Sequence, residues 1–533
     1  MKFIYSIFAI VILISVSSCK KFLETEPTDF SAPSTYYKNE EHLNFGLAGV
    51  YDVLGNARVY GADIHTRKNF EADEGFYNSS TFKNGVEVYN YTANDTQVRD
   101  YWVNLYTGIA RANSLLQAID RNPAIAQSIR DRVRGEALFL RGYYYFLLVQ
   151  SYGSVPLVLT PTNDPNDIDV PKNTEKEIYE QIILDMETAE AFVDPIQTIG
   201  HGGRVSKSAV RGILARVCLH MAGEPVRDIS KYERARHWAK MVIDDAGAGH
   251  QLNPDFSDIF INYAADKYDI KESIWEVEFF GNNTDETAEA GYVGSWIGIS
   301  NRNNHIGDGF GRILVTGKLF RTYEQGDLRK DWAITNFIYR ADGTKSPYAL
   351  DPLPQDQYNR YPAKYRREFE VVLPKASQQT PINFPLLRYA DVLLMYAEAE
   401  NEINGSPTAA ALDAINAVRR RGFGYLLTDN PTNSANDIPA GLSRFDFFKV
   451  LVKERSRELC FEGLRKHDLI RWGIFVETMK ETLAIMDEDL LNVPVQHWKK
   501  TVYQNVSSKH LVYPIPSYEL EVNKALTQHP LWR

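Results

Sequence analysis

Ile129 to Tyr152 reads IRDRVRGEALFLRGYYYFLLVQSY, and its apolar residues recur with the period of a helix. Val133, Ala137, Leu140, Tyr144 and Leu148 stand three or four positions apart, on one helical face. Gly153 supplies a stop, with Pro156 just beyond it. The same spacing recurs outward in both directions. Upstream, Tyr101 to Asp120 places Trp102, Leu105, Tyr106, Ile109, Leu116 and Ile119 on one face. Downstream, Asn173-Thr174-Glu175 opens a helix through Ala191, Ser206 caps one that reaches Gly223, and Tyr232 to Ala246 predicts a fifth. A second block holds Tyr389 to Ile403, Thr408 to Arg421, and Arg444 to about Trp472. Consecutive helices joined by short turns predict a mainly α fold of hairpins packed as a solenoid-like layer.

Those hairpins are similar to tetratricopeptide units, but their spacing is irregular and a strict period of ~34 residues is absent. They are degenerate. His250 to Pro385 has a different character. Gly281 to Gly326 carries nine glycines and five asparagines, with Trp296 among them. Ser273-Ile274-Trp275-Glu276-Val277-Glu278-Phe279 alternates as a strand with one buried face. Tyr60 to Trp102 is also loop-rich and holds nine aromatics. Aromatics argue against disorder, and long ordered loops usually serve function. The chain divides into 1–18, a signal; 19–100, an anchor and aromatic loop segment; 101–247, a helical hairpin block; 248–385, an inserted loop-rich subdomain with short strands; and 386–533, a second helical block with a closing tail.

The N-terminus sets the compartment. Lys2 precedes the apolar run Phe3 to Val16, which is short of the ~20 residues of a membrane span and suits a secretory signal. Val16-Ser17-Ser18-Cys19 resembles a bacterial lipobox, in which the Cys19 thiol receives diacylglycerol and tethers the body to a membrane. The formal net charge is −10, and loss of Lys2 with the signal makes it one unit more negative. Such a chain has no general attraction for nucleic acid. The 31 Tyr, 26 Phe and 8 Trp are a surplus that serves core or binding surface. Cys218 and Cys460 lie in helix-like apolar stretches and read as buried free thiols.

Several charged residues look catalytic and are read as structural. Glu454, Arg457, Glu458, Glu462, Arg465 and Lys466 fall three or four apart, the spacing of an exposed ion-pair ladder whose pairs contribute ~0.3–0.5 kcal/mol each. Replacing Glu458 by Gln is accordingly expected to change stability modestly. No His-Glu-x-x-His, Gly-x-Ser-x-Gly or P-loop stands in the chain. Gly307-x-Gly309-x-Gly311 lacks dinucleotide spacing and reads as a flexible loop. No cofactor is expected. Asp255, Asp258, Asp266 and Asp269 are the candidates for a structural calcium, with solvated loop charge the ordinary alternative.

Longer blocks carry a family resemblance. RGEALFLRGYYYF from Arg134 to Phe146, with SYGSVPL from Ser151 to Leu157, resembles the signature helix and exit turn of the SusD/RagB family. Arg388 to Asn401, Leu412 to Arg421, and Glu454 to Arg465 with Asp468 to Gly473 are similar to three further blocks of that family. Phe22-Leu23-Glu24 through Pro27 also fits, as does the tail from Tyr513-Pro514-Ile515-Pro516 to Trp532. The tail departs from the pattern at His529 and Leu531, where the family has asparagine and glycine. The resemblance runs from the lipobox to the C-terminus. It implies a SusD-like fold with four tetratricopeptide-like hairpins and an inserted subdomain, surface display on the outer membrane, no enzymatic activity, and a SusC-like TonB-dependent transporter as partner.

A sugar binder needs flat aromatics for the apolar face of a pyranose, and amides or guanidinium groups for its hydroxyls. Two loops offer both. One holds Tyr77 and Asn78 with Phe82, Tyr89 and Tyr91; the other holds Trp296 with Asn301 and Arg302. These eight are the candidate ligand residues. Trp102, Tyr143 to Tyr145, Trp275 and Trp472 stand at packing positions and are expected in the core. Two other functions fit part of the sequence. A surface glycoside hydrolase shares the signal and aromatic loops but needs two facing carboxylates. A helical-repeat scaffold for proteins explains the solenoid but leaves the aromatic loops idle.

Overall fold

The computed structural model describes residues 37–62, 72–162, 164, 168–282 and 289–533. The signal sequence and Cys19 lie outside the described residues. Helix α1 spans Glu40–Gly55, α2 Thr96–Ala118, α3 Gln127–Tyr152, α4 Glu175–Phe192, α5 Lys207–Ala222 and α6 Lys231–Ile243. The caps sit where the sequence puts them. Thr174 and Glu177 close a capping box on α4, and Ser206 accepts from the Ala209 amide on α5. Helix α7 spans Phe256–Ala264, α8 Tyr389–Asn404, α9 Ala409–Gly422, α10 Arg444–Leu459, α11 Arg465–Arg471 and α12 Phe475–Asp489.

Four helix pairs form the layer: α1 with α2, α3 with α4, α5 with α6, and α8 with α9. Helix α6 also packs on α8, so the layer continues past the inserted segment that separates them in sequence. Trp102 and Tyr143 to Tyr145 are buried in it, as expected, and Trp472 is half-buried. Cys218 and Cys460 are buried free thiols.

The helical stretch expected from Arg444 to about Trp472 is two helices. Phe461 and Gly463 take positive φ between them, and the Phe461 amide reaches the Glu74 carboxylate. The periodicity carried across the break because the apolar residues of both helices face one core. Helix α1 lies inside the segment read as loop. Asn39 caps it, and Leu43, Leu47, Val50 and Leu54 bury its face.

The insertion is closed at its neck by β2, Ser273–Val277, which pairs antiparallel with β6, Phe384–Arg388. The sequence expectation of one buried face is corrected here, since all five residues of β2 are buried. The helical layer covers one side, and Trp275 meets Phe139 and Tyr143 edge-on, with centroids 4.9 and 4.7 Å apart. Among the described residues two further ribbons complete the sheet structure: β1, Gly75–Tyr77, with β3, Ile313–Val315, and β4, Phe337–Tyr339, with β5, Lys345–Pro347.

The charge ladder on α10 is also corrected. Glu454 and Glu458 are wholly buried; Glu454 keeps one partner on its own helix, Arg457 at 3.0 Å, and the other arginines come from elsewhere in the chain. Glu458 receives Arg421 of α9 at 2.6 Å, Arg388 of β6 at 3.0 Å and Arg329 of the insertion at 3.0 Å. Arg329 also holds Glu454 and Asp327, and Arg388 holds Glu272 and Glu462. Burial alone would raise the Glu458 carboxyl; Arg421, Arg388 and Arg329 overcome that and hold it well below the ordinary carboxylate range. This network fastens the insertion to the helical layer. Helical spacing alone cannot separate such a cluster from a solvated ladder, because the arginines are distant in sequence.

Glu276, in β2, sets a pH dependence. Burial, with Glu278 alongside, lifts its carboxyl to about 7 from an ordinary 4.5. Ser273 Oγ and Asn383 Nδ2 both donate to it. The native state holds this proton through the window from 4.5 to about 7, so stability from this group is greatest below that window and lost as pH rises through it. Glu276→Gln, which can still meet both neighbours, is expected to stabilise the protein above about pH 7.5 by up to roughly 3 kcal/mol and to change little near about pH 4.5. Chemical denaturation at the two pH values checks this.

Candidate functional site

The β1–β3 ribbon brings the two aromatic loops together. Its register sets Tyr77 opposite Ile313. Asn78 extends the pairing, its amide donating to the Arg312 carbonyl at 2.8 Å and its Nδ2 to the Gly311 carbonyl at 2.9 Å. Tyr77 thereby lies beside Arg312, whose Nη1 donates to the phenol at 3.3 Å. The Arg312 guanidinium rests 4.3 Å from the Trp296 ring centre and 5.4 Å from that of Phe310. Phe82 packs on Tyr77 with centroids 5.1 Å apart.

Trp296 ends a short helix, Val293–Trp296, and Tyr292 lies one turn before it, with ring centroids 5.1 Å apart. The Phe310 amide donates to the Ser295 carbonyl at 2.7 Å and the Arg312 amide to that of Trp296 at 3.1 Å. The loop between is tied down, which corrects the expectation of flexibility. Asn301 and Gly309 exchange backbone hydrogen bonds of 2.9 and 3.1 Å. Gly311 has a φ of +55°, and a Cβ there would stand 2.5 Å from Tyr361 Cε1. The glycines are required by the closeness of the backbone.

The result is an arc of half-buried aromatics, Phe82, Tyr77, Trp296, Tyr292 and Phe310, threaded by Arg312. Among the described residues Arg312 has no carboxylate partner, which leaves guanidinium donors for a ligand hydroxyl. Arg302 is exposed beside it, 5.2 Å from the Phe310 ring centre and 3.9 Å from Asp308. Aromatic faces beside guanidinium groups match the two needs of sugar recognition.

Of the eight candidates, Tyr77, Phe82, Trp296 and Arg302 meet in this arc, with Asn78 fixing the ribbon below. Three are placed otherwise. Asn301 is buried and turns inward, its Oδ1 accepting from the Asn303 amide at 3.1 Å, so it shapes the loop. Tyr89 and Tyr91 are buried under the C-terminal tail, each against the His510 ring, with centroids 4.9 and 5.4 Å away, and Tyr91 also meets Trp532. The chain turns away after Phe82 and carries both into the core. Tyr292, Phe310 and Arg312 were not among the candidates. The Phe-x-Arg alternation entering β3, and the one-turn spacing of Tyr292 to Trp296, were the available signals.

The four aspartates considered for calcium do not form a metal set. Asp255 caps α7, and Asp269 accepts from Asn253 and Lys271. Among the described residues no group of three or more His, Cys, Asp or Glu is arranged to hold a metal ion.

Comparison with known proteins now identifies the class. A model of the SusD family matches residues 346–532, and a second, described as starch-binding and associating with the outer membrane, matches residues 21–219. Together they span well over half of the sequence, and the chain belongs to the SusD/RagB family. It is 25% identical to SusD-like protein P25 of Formosa agariphila, over 97% of each chain. The structure of a SusD homolog from Bacteroides thetaiotaomicron superposes with a TM-score of 0.85 at 29% identity, over 94% of this chain and 98% of that one. A laminarin-binding SusD-like protein shares the fold with a TM-score of 0.69 at 24% identity, over 93% of this chain and 100% of that one.

Proposed function

We propose that this chain is a non-catalytic, cell-surface glycan-binding lipoprotein that captures oligo- or polysaccharide and delivers it to a SusC-like TonB-dependent outer-membrane transporter. The observation that carries this reading is the aromatic arc around Arg312. A retaining or inverting glycosidase sets two carboxyl groups ~5–9 Å apart across the sugar; the arc is built of flat rings and arginines, with a single carboxylate among the described residues, Asp308, beside Arg302. Family membership supports the reading, as does the shared fold with a laminarin-binding protein. The test is to offer the purified protein a panel of oligosaccharides and measure retention and new reducing ends together. Retention without cleavage is the expected result.

The anchor follows from the sequence. Among the described residues no helix is long and apolar enough to cross a membrane, and attachment is assigned to lipid on Cys19. Cys19→Ala is expected to leave the melt unchanged and move the protein to the soluble fraction. A variant that stays membrane-bound through a high-salt wash, in cells lacking the transporter, contradicts this assignment.

A further inference from the structure

A second cavity, sharing no residue with the aromatic arc, lies between the helical layer and the closing tail. Its volume is about 670 Å³, within the range of small-molecule sites. The apolar part of its wall is formed by Tyr179 of α4, Phe475 and Val476 of α12, and Leu511, Val512 and Leu531 of the tail. His529 and Leu531, the two tail positions that depart from the family pattern, both line it.

One acidic group in this wall lacks a counter-charge. Glu175 opens α4 beside Gly153, and among the described residues it makes no hydrogen bond or ion pair. The nearby cation Arg471 is already bound by Glu398 and Asp468. Lys480 stands exposed at the rim with Glu477. Desolvation alone lifts the Glu175 carboxyl to about 7, which marks the cost of leaving its charge unanswered. The remaining polar groups of the wall are Gln150, Glu224 and the imidazoles of His220, His467 and His529. Burial and neighbouring cations lower the His529 pKa, so that ring adds no positive charge near neutrality.

We infer that this cavity is a second ligand site, separate from the glycan surface, for a small amphipathic amine whose ammonium pairs with Glu175 and whose apolar body fills the space between Tyr179, Phe475 and the tail. An ammonium supplies the counter-charge that Glu175 lacks, and the aromatic and branched side chains supply the area for its body.

Titration of the full-length protein with butylamine, hexylamine and phenethylamine, followed by calorimetry and saturation-transfer NMR, tests the inference. Phenethyl alcohol and phenylacetate serve as the neutral and anionic counterparts. The amine with the best-fitting body is expected to bind at least about tenfold more tightly than the alcohol, with phenylacetate weakest. Glu175→Gln is expected to remove that preference, a loss of about tenfold or more for the amine. Leu531→Trp, at a half-exposed tail position, should block the cavity without disturbing the core. Trp296→Ala should leave amine binding unchanged. The inference is overturned by amine and alcohol binding equally, by an unaffected Glu175→Gln variant, or by no amine binding at about 10 mM.

Discussion

Replacing Glu458 by Gln is expected to destabilise the protein by roughly 3–5 kcal/mol, the cost of leaving buried charges without their partner. The carboxylate answers Arg421, Arg388 and Arg329 at once, and all four side chains are buried. A glutamine fills the same volume but offers no negative charge, so three guanidinium groups share the remaining acids. Because Arg329 and Arg388 belong to the insertion and its neck, the loss should loosen the insertion before the helical layer. Denaturant melts, with hydrogen exchange across β2 and β6, report both effects. A change below about 1 kcal/mol would return Glu458 to the class of solvated surface pairs. Ligand affinity of the folded fraction should stay unchanged, since the network touches no residue of the aromatic arc.

The second large effect is at Trp296. Removing this ring takes away one aromatic face and the support of Arg312, and hot-spot aromatics of this kind cost ~2 kcal/mol or more, on the order of thirtyfold in affinity. Trp296 is half-buried, with its indole nitrogen covered and without a hydrogen-bond partner. A modest loss of stability, about 1–2 kcal/mol, is therefore expected beside the loss of affinity. A loss of about 3–5 kcal/mol with unchanged affinity would make Trp296 a core residue of the subdomain. Arg302→Ala is the control on the same surface. Its side chain is exposed, so the melt should hold while affinity falls.

The helical layer was legible because its signal is local. Val133 to Leu148 repeat on one face, Gly153 ends the run, and Thr174 and Ser206 mark starts that the structure keeps to within a residue. Helix α1 carries an equally regular face in Leu43, Leu47, Val50 and Leu54. The aromatic loop that follows dominates the composition of its segment and hides this face. The buried arginine–glutamate network was not legible. Glu454 and Glu458 show the same four-residue spacing whether they face water or a core, and only the long-range partners decide.

The candidate site was legible in its parts and not in its assembly. Composition picked out both loops, but Tyr77 and Arg312 are 235 residues apart, and only the β1–β3 register sets them side by side. Tyr89 and Tyr91 are buried away from that ribbon. After Phe82 the chain folds back under the tail, where those rings meet His510 and Trp532 instead of solvent. Asn301 offers an amide in the sequence, and the close approach of Gly309 turns that amide inward.

The central claim is that the arc around Arg312 holds glycan without cleaving it. The most direct measurement applies wild-type protein and the Trp296→Ala variant to one oligosaccharide array, with reducing ends assayed in the same samples. The account predicts a defined set of glycans retained by the wild type, lost by the variant, and chemically unchanged. Retention of no glycan by the wild type, equal retention by both proteins, or new reducing ends in the wild-type sample would contradict it.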